Sequence, residues 1–204
     1  MCFIYGVNMS LTITEHSRSQ ALKTATTDVH NNVDKSIMAQ NPFADTSSYL
    51  LFLSLQYNFL KDVSALYEHP ELAKHINDLI ARRRLSLLEQ DFQDLKYALP
   101  ETPLEPSITH ETDFATALGW LYVVEGSKVG AAMLGKQVEA QLNFDANHGA
   151  RYLKGPGAGR GSAWRELTQL IDTLELTQAQ EAALIEGARQ AFTRFQQFQS
   201  QVYS

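Results

Sequence analysis

Gly119-Trp120-Leu121-Tyr122-Val123-Val124-Glu125-Gly126-Ser127-Lys128-Val129-Gly130-Ala131-Ala132 is the middle of the most apolar long stretch of the chain, Glu111 to Leu142. Nothing in that stretch alternates between apolar and polar at every second residue, so it reads as one long helix. It has a peculiarity. An interior glycine costs a helix about 1 kcal/mol against alanine, so something must offset each of the three glycines inside it. Gly119, Gly126 and Gly130 are seven and four residues apart and therefore fall on one stripe. Two readings of the stripe are open. Small residues let a neighbouring helix pack close, or bare backbone lets a flat ligand lie against the helix while the Gly126-Ser127 pair kinks it over that ligand.

Outward from this element the same helical period recurs. Between Ser17 and Ala39 the residues Ala21, Leu22, Ala25, Val29, Val33 and Ile37 return at steps of three and four, and Asn41-Pro42 ends the pattern. Asp45-Thr46-Ser47-Ser48 supplies N-cap chemistry for a second helix, which carries Leu50, Leu51, Leu55, Phe59, Leu60, Val63 and Leu66 and stops near His69-Pro70. A third helical stretch runs from Glu71 to about Ala98, bent or interrupted near Asn77, and includes Arg82-Arg83-Arg84. Pro100, Pro103 and Pro106 make a linker before the apolar helix, and a glycine-rich loop, Phe144 to Gly161, follows it. Two further helices close the chain, the last entered through a capping box of Thr177 and Gln180. The expected architecture is all-α: a single-domain multi-helix bundle over 17–204, with 1–16 as a poorly ordered extension in which Met9 offers a second start.

A chain of 204 residues suffices for one sizeable core. A formal net charge of -6 gives no global electrostatic footprint for a polyanion, so no nucleic-acid partner is expected. The sole cysteine, Cys2, excludes an internal disulfide and any paired-cysteine metal site. No secretory leader is legible, and no apolar run reaches the roughly 20 residues needed to span a bilayer. A cytoplasmic protein without a membrane partner is the expectation.

His30 lies on the first helix among Thr26, Val29 and Val33. The plain reading is a histidine that binds nothing; the functional one is an axial ligand to heme iron, for which imidazole on a rigid helix is suited. Asp34, one turn on, is either a surface aspartate or a group that orients that imidazole. Lys23 precedes His30 by seven residues and shares its face at about 10 Å, roughly the offset between a heme iron and its propionates.

His30 within Leu22-Lys23-Thr24-Ala25-Thr26-Thr27-Asp28-Val29-His30-Asn31-Asn32-Val33-Asp34 belongs to a larger pattern. It includes the Gly119 to Gly130 stretch, His148-Gly149-Ala150-Arg151, and Gly187-Ala188-Arg189-Gln190-Ala191-Phe192. Together these segments resemble bacterial heme oxygenases, most of all the iron-acquisition enzymes of Gram-negative pathogens. The resemblance extends from about residue 17 onward, in order and at compatible spacing. It implies an enzyme that opens heme, at once substrate and cofactor, with O2 and electrons from an external reductant. The products would be biliverdin, ferrous iron and CO, serving iron acquisition or bilin supply.

By that resemblance His30 is the proximal iron ligand. Gly126, Ser127 and Gly130 cover the distal face, with Arg84 ordering a water network; which of the three consecutive arginines holds that place is open by one residue. Lys23 and Tyr122 anchor the propionates, which implies the α isomer of biliverdin, and Gly119, Val33 and Phe192 line the ring. The implied electron donor is a ferredoxin with its NADPH reductase, for which Arg82 to Arg84 offer a basic docking face. This chain departs from the pattern at Leu60, where some relatives carry a histidine, and at Lys128, where an amide is found.

Three other readings compete with this one. The glycine loop lacks the Gly-Lys-Ser/Thr ending of a phosphate-binding loop and follows a helix rather than a strand. A di-iron bundle needs Glu-x-x-His pairs, which the sequence does not contain. A thiamine-processing helical enzyme needs a cysteine within the fold. The alternative left standing is a non-catalytic heme-binding storage, delivery or sensor protein of the same fold.

Overall fold

The computed structural model describes residues 17–101, 105–155 and 159–204. The expected extension 1–16, with Cys2 and Met9, lies outside the described residues. Among the described residues eight α-helices follow one another: α1 (Arg18–Met38), α2 (Thr46–Asp62), α3 (Pro70–His75), α4 (Leu85–Asp94), α5 (Phe114–Leu142), α6 (Arg151–Lys154), α7 (Arg160–Thr173) and α8 (Gln178–Val202). Two short 3-10 turns, Ser64–Glu68 and Leu79–Arg82, link α2 to α3 and α3 to α4. No strand occurs among the described residues. None of the described helices is long and apolar enough to cross a membrane.

Local chemistry sets most of the boundaries. The Ser17 side chain accepts from the amide of Gln20, Asp45 from Ser48 at 2.7 Å, and Asp113 from Ala115 and Thr116. Thr177 and Gln180 form the expected reciprocal capping box. The α5 helix ends on Asn143 in the left-handed conformation (φ 57°), which asparagine tolerates better than most residues.

The stretch from Glu71 to Ala98 is interrupted near Asn77, as expected, and a second time at Arg83: it forms α3, a 3-10 turn and α4, separated by extended backbone at Ile76 and Arg83. Ile76 and Leu79 are both buried, and turning these side chains into the core fixes the break near Asn77. The glycine-rich connection also holds a helix. Asp91 of α4, wholly buried, accepts from the amides of Arg151 and Tyr152 at 2.8 and 2.9 Å and so caps α6 from outside its own segment.

The most extensive helix contact is α5 against α8, and α1 and α2 also rest on α8. Gly119 and Gly187 make the α5–α8 crossing possible. A Cβ on Gly119 would lie 2.1 Å from the Leu184 carbonyl oxygen, and one on Gly187 would lie 2.4 Å from that of Thr116. The side of Gly119 on which a Cβ would stand is therefore filled by the α8 backbone. The α5 helix is continuous from Phe114 to Leu142, through Gly126-Ser127.

Three tyrosines tie the core together. Tyr49 donates to the Gly149 carbonyl, Tyr67 to Glu125 and Tyr152 to Gln56. Burial pushes all three phenols above their ordinary value of 10.0, Tyr152 to about 12. Protons held by the folded state but lost by the unfolded one make this stabilisation complete below pH 10 and lost as pH rises toward 12. In an alkaline titration followed by phenolate absorbance, part of the signal from the eight tyrosines is expected only together with loss of helical circular dichroism. Smooth ionisation of all of them with the helices intact would contradict their burial.

Candidate functional site

His30 stands on the outward face of α1 with 56% of its side chain exposed, so it is not a core histidine. Its Nδ1 is 3.3 Å from an Asp34 carboxylate oxygen one turn on, and its ring meets the edge of Phe192 of α8 at 5.8 Å. A carboxylate beside Nδ1 favours the tautomer with the proton on that nitrogen and the lone pair on Nε2, the form in which a histidine can ligate a metal. Val33 and Phe192 are both buried beside it and provide an apolar footing.

Along α5 the three glycines have three different surroundings. Gly119 is packed against α8, as described above. A Cβ on Gly126 would meet the six-membered ring of Trp164, from α7, at 3.2 Å. Gly130 has nothing within 4 Å among the described residues. Around it the surface is open and apolar, with Val129 45% and Met133 70% exposed. Ser127, also exposed, donates its hydroxyl back to the Val124 carbonyl at 2.8 Å. Both α1 and α5 rest on α8, so an imidazole on one helix and a bare, apolar helix face on another share a common support that carries Phe192. These residues fit a flat apolar ligand with a metal at its centre.

The other expected residues fall in unlike settings. Lys23 is exposed on α1, whereas Tyr122 is buried and packs its ring 5.0 Å from that of Trp164. No hydrogen bond joins the two among the described residues. Burial raises the Tyr122 phenol, which keeps it protonated and able to donate to a carboxylate. The three arginines are separated clearly. Arg82 bonds to Asp78, Glu166 and the Ala163 carbonyl, and Arg83 pairs with Glu68. Arg84 is buried with a guanidinium nitrogen that has no partner among the described residues.

Several residues escaped the sequence reading. Trp164 forms a wall shared by Gly126 and Tyr122; being one of only two tryptophans was its only signal. Behind α5, Lys128 donates to Glu125 and to the Arg82 carbonyl, and Tyr67 donates to the same Glu125. Burial lowers the Lys128 ammonium to about 8, with Glu125 opposing the shift. A cavity of about 610 Å³ opens here, lined by Arg84, Lys128, Arg151 and Arg160 among others and not by His30. It is therefore distinct from the open face around His30.

Comparison with known proteins agrees with this geometry. The heme oxygenase family model matches residues 16–201. The chain is 36% identical over 182 residues to heme oxygenase PigA of Pseudomonas aeruginosa, spanning 89% of this chain and 90% of that protein. Among solved structures it resembles the NO- and CO-bound heme oxygenase of Neisseria meningitidis with a TM-score of 0.83, at 35% identity and with 92% of each chain covered. Heme oxygenase-1 of the cyanobacterium Synechocystis, solved in complex with heme, shares the fold alone, with a TM-score of 0.68 at 15% identity over 92% of each chain. The match over nearly the whole length makes this chain a member of the heme oxygenase family and a heme oxygenase enzyme.

Proposed function

We propose that His30 is the proximal ligand, that the α5 surface at Gly126, Ser127 and Gly130 covers the opposite face of the substrate, and that the product is the α isomer of biliverdin. The observation that carries this reading is the His30–Asp34 contact on an exposed helix face, which leaves Nε2 without a hydrogen-bond partner among the described residues. The bound heme supplies the redox chemistry, taking up dioxygen and reducing electrons at its iron. The protein supplies position. Asp34 holds the imidazole ring in orientation, and Val33 and Phe192 support the porphyrin plane beside it. Gly130, with open space where a side chain would stand, admits the ring to the helix backbone. Trp164 closes the end of that surface at Gly126 and excludes water from it.

Regiochemistry depends on the in-plane rotation of the ring. Lys23 would bind one propionate as an exposed cation, and the protonated Tyr122 hydroxyl, its ring fixed by Trp164, would donate to the carboxylates from within. Replacing both by alanine is expected to turn a single α product into a mixture of isomers while hemin still binds. A single α isomer from the double variant, resolved by chromatography, would remove the anchoring argument. Arg84, the one arginine of the three without a carboxylate partner among the described residues, is the candidate to order water on the distal side. A ferredoxin with its NADPH reductase is the proposed electron donor, and iron acquisition or bilin supply in the cytoplasm is the proposed setting.

The direct test adds hemin to the purified protein and then ascorbate, or ferredoxin with its reductase, in air with catalase present. Loss of the Soret band with growth of the broad biliverdin absorption is the expected result. A heme spectrum that persists under sustained reduction would instead favour a carrier or sensor.

A further inference from the structure

The cavity behind α5 is a concentration of positive charge. Four of its cations are matched by acids: Arg82 by Asp78 and Glu166, Arg83 by Glu68, Arg151 by Asp94 and Lys128 by Glu125. Arg84 and Arg160 have no carboxylate among the described residues. Arg84 is only 9% exposed, and its Nη1 is buried without a partner among the described residues. Arg160 gives Nη2 to the carbonyls of Leu153 and Lys154, while its Nε and Nη1 are buried and have no partner among the described residues. The two guanidiniums converge on Gly155, where a Cβ would lie 3.0 Å from Arg160 Nη2 and 3.1 Å from Arg84 Nη1. Two like charges thus stand close together with Arg84 Nη1 and Arg160 Nε and Nη1 unfilled among the described residues, a costly arrangement for buried donors unless an anion completes it. Burial first, and then Arg84, lowers the Arg160 guanidinium below its ordinary value. The same cavity receives the start of α7 at Gly159, an N-cap with no side-chain hydrogen bond, so the first-turn amides of a 14-residue helix add their own preference for negative charge.

We propose that this cavity is an anion site for a phosphate monoester, held between the Arg84 and Arg160 guanidiniums with the α7 N-terminus behind them. Two planar forks and a helix terminus suit a tetrahedral dianion, whose several oxygens accept from different directions. At about 610 Å³ the space exceeds what inorganic phosphate needs and lies within the range of about 300–1,000 Å³ typical for small organic ligands. The cavity is not lined by His30; it shares Arg84 with the water-ordering role proposed above, and because the titration reads phosphate binding to the heme-free chain, its failure would leave the heme reading standing.

The test is calorimetric titration of the full chain at low ionic strength with inorganic phosphate and with glycerol phosphate, acetate serving as the control anion. Saturable one-to-one binding of glycerol phosphate, at least as tight as that of inorganic phosphate and much tighter than that of acetate, is expected. Arg84→Gln and Arg160→Gln should each weaken it by about tenfold or more, the size expected when a charge-assisted pair is lost. Arg165→Gln, at an exposed position on α7, should leave it unchanged. Arg160→Lys keeps the charge but loses the fork; an affinity between those of wild type and Arg160→Gln, with unaltered circular dichroism, would separate recognition from folding. No saturable heat at millimolar concentrations of either phosphate would overturn the proposal, as would equal binding by both glutamine variants. Binding of inorganic phosphate alone would overturn the assignment to an organic ester.

Discussion

Replacing His30 with alanine is expected to leave a folded protein that binds hemin weakly, without the spectrum of an imidazole-ligated iron, and that turns over at least about 100-fold more slowly. The fold should survive because the side chain is 56% exposed and its one ion contact is a surface pair; such positions change stability by about 0.5 kcal/mol or less. The loss should be specific to the ligand. Removing the group that orients a metal-bound histidine costs about 10- to 100-fold, and removing the histidine itself should exceed that, while Asp34→Ala should fall within it. Free imidazole added to the His30→Ala protein supplies a nitrogen donor without the tether, so partial return of the Soret band and of biliverdin formation is expected. An unchanged Soret band with normal turnover in the variant would remove His30 from the site. Loss of hemin binding with no recovery in imidazole would mean that the side chain shapes the surface rather than ligating iron.

Much of this was legible in the sequence because it is decided locally. The helices α1, α2 and α8 begin where Ser17, Asp45 and Thr177 offer oxygen to first-turn amides, and those residues announce themselves by type and spacing. What was not legible depends on partners far along the chain. The α6 helix is capped by Asp91, some sixty residues earlier, so nothing in Arg151-Tyr152-Leu153-Lys154 betrays a helix within a glycine-rich connection. The interruption near Asn77 was legible, but the second one, at Arg83, which separates the 3-10 turn from α4, was not. The same limit applies to Arg82-Arg83-Arg84. Three identical neighbours carry no distinguishing mark until Asp78, Glu166 and Glu68 occupy two of them and leave Arg84 turned inward. Trp164 escaped for a related reason: its role arises from facing Gly126 and Tyr122 across a helix interface, and neither is near it in sequence.

The stripe of glycines on α5 gives the sharpest separation of the two kinds of information, and alanine substitutions should expose it. On sequence grounds Gly119→Ala and Gly130→Ala are the same change, each improving helix propensity by about 1 kcal/mol. The structure gives them opposite signs. At Gly119 the new methyl carbon would stand 2.1 Å from the Leu184 carbonyl oxygen and 2.8 Å from the Ala188 nitrogen. Both atoms are backbone inside α8, so no rotamer change relieves the contact and the two helices must move apart along the largest interface in the fold. Overpacking of this kind costs about 3 kcal/mol or more. For a chain of this length that corresponds to a fall in Tm of about 6 to 12 °C. At Gly130 nothing lies within 4 Å, so alanine should keep its propensity gain and raise the Tm of the heme-free protein by a few degrees. Its cost should appear only with substrate, because the added methyl group stands where the porphyrin approaches the helix; weaker hemin binding or slower biliverdin formation is expected from the more stable protein. Thermal melts of both variants, with and without hemin, decide the matter. If Gly119→Ala melted like the wild type, the glycine there would not be needed for helix contact. If Gly130→Ala stabilised the protein and bound and degraded hemin normally, the open face of α5 would not be where the substrate lies.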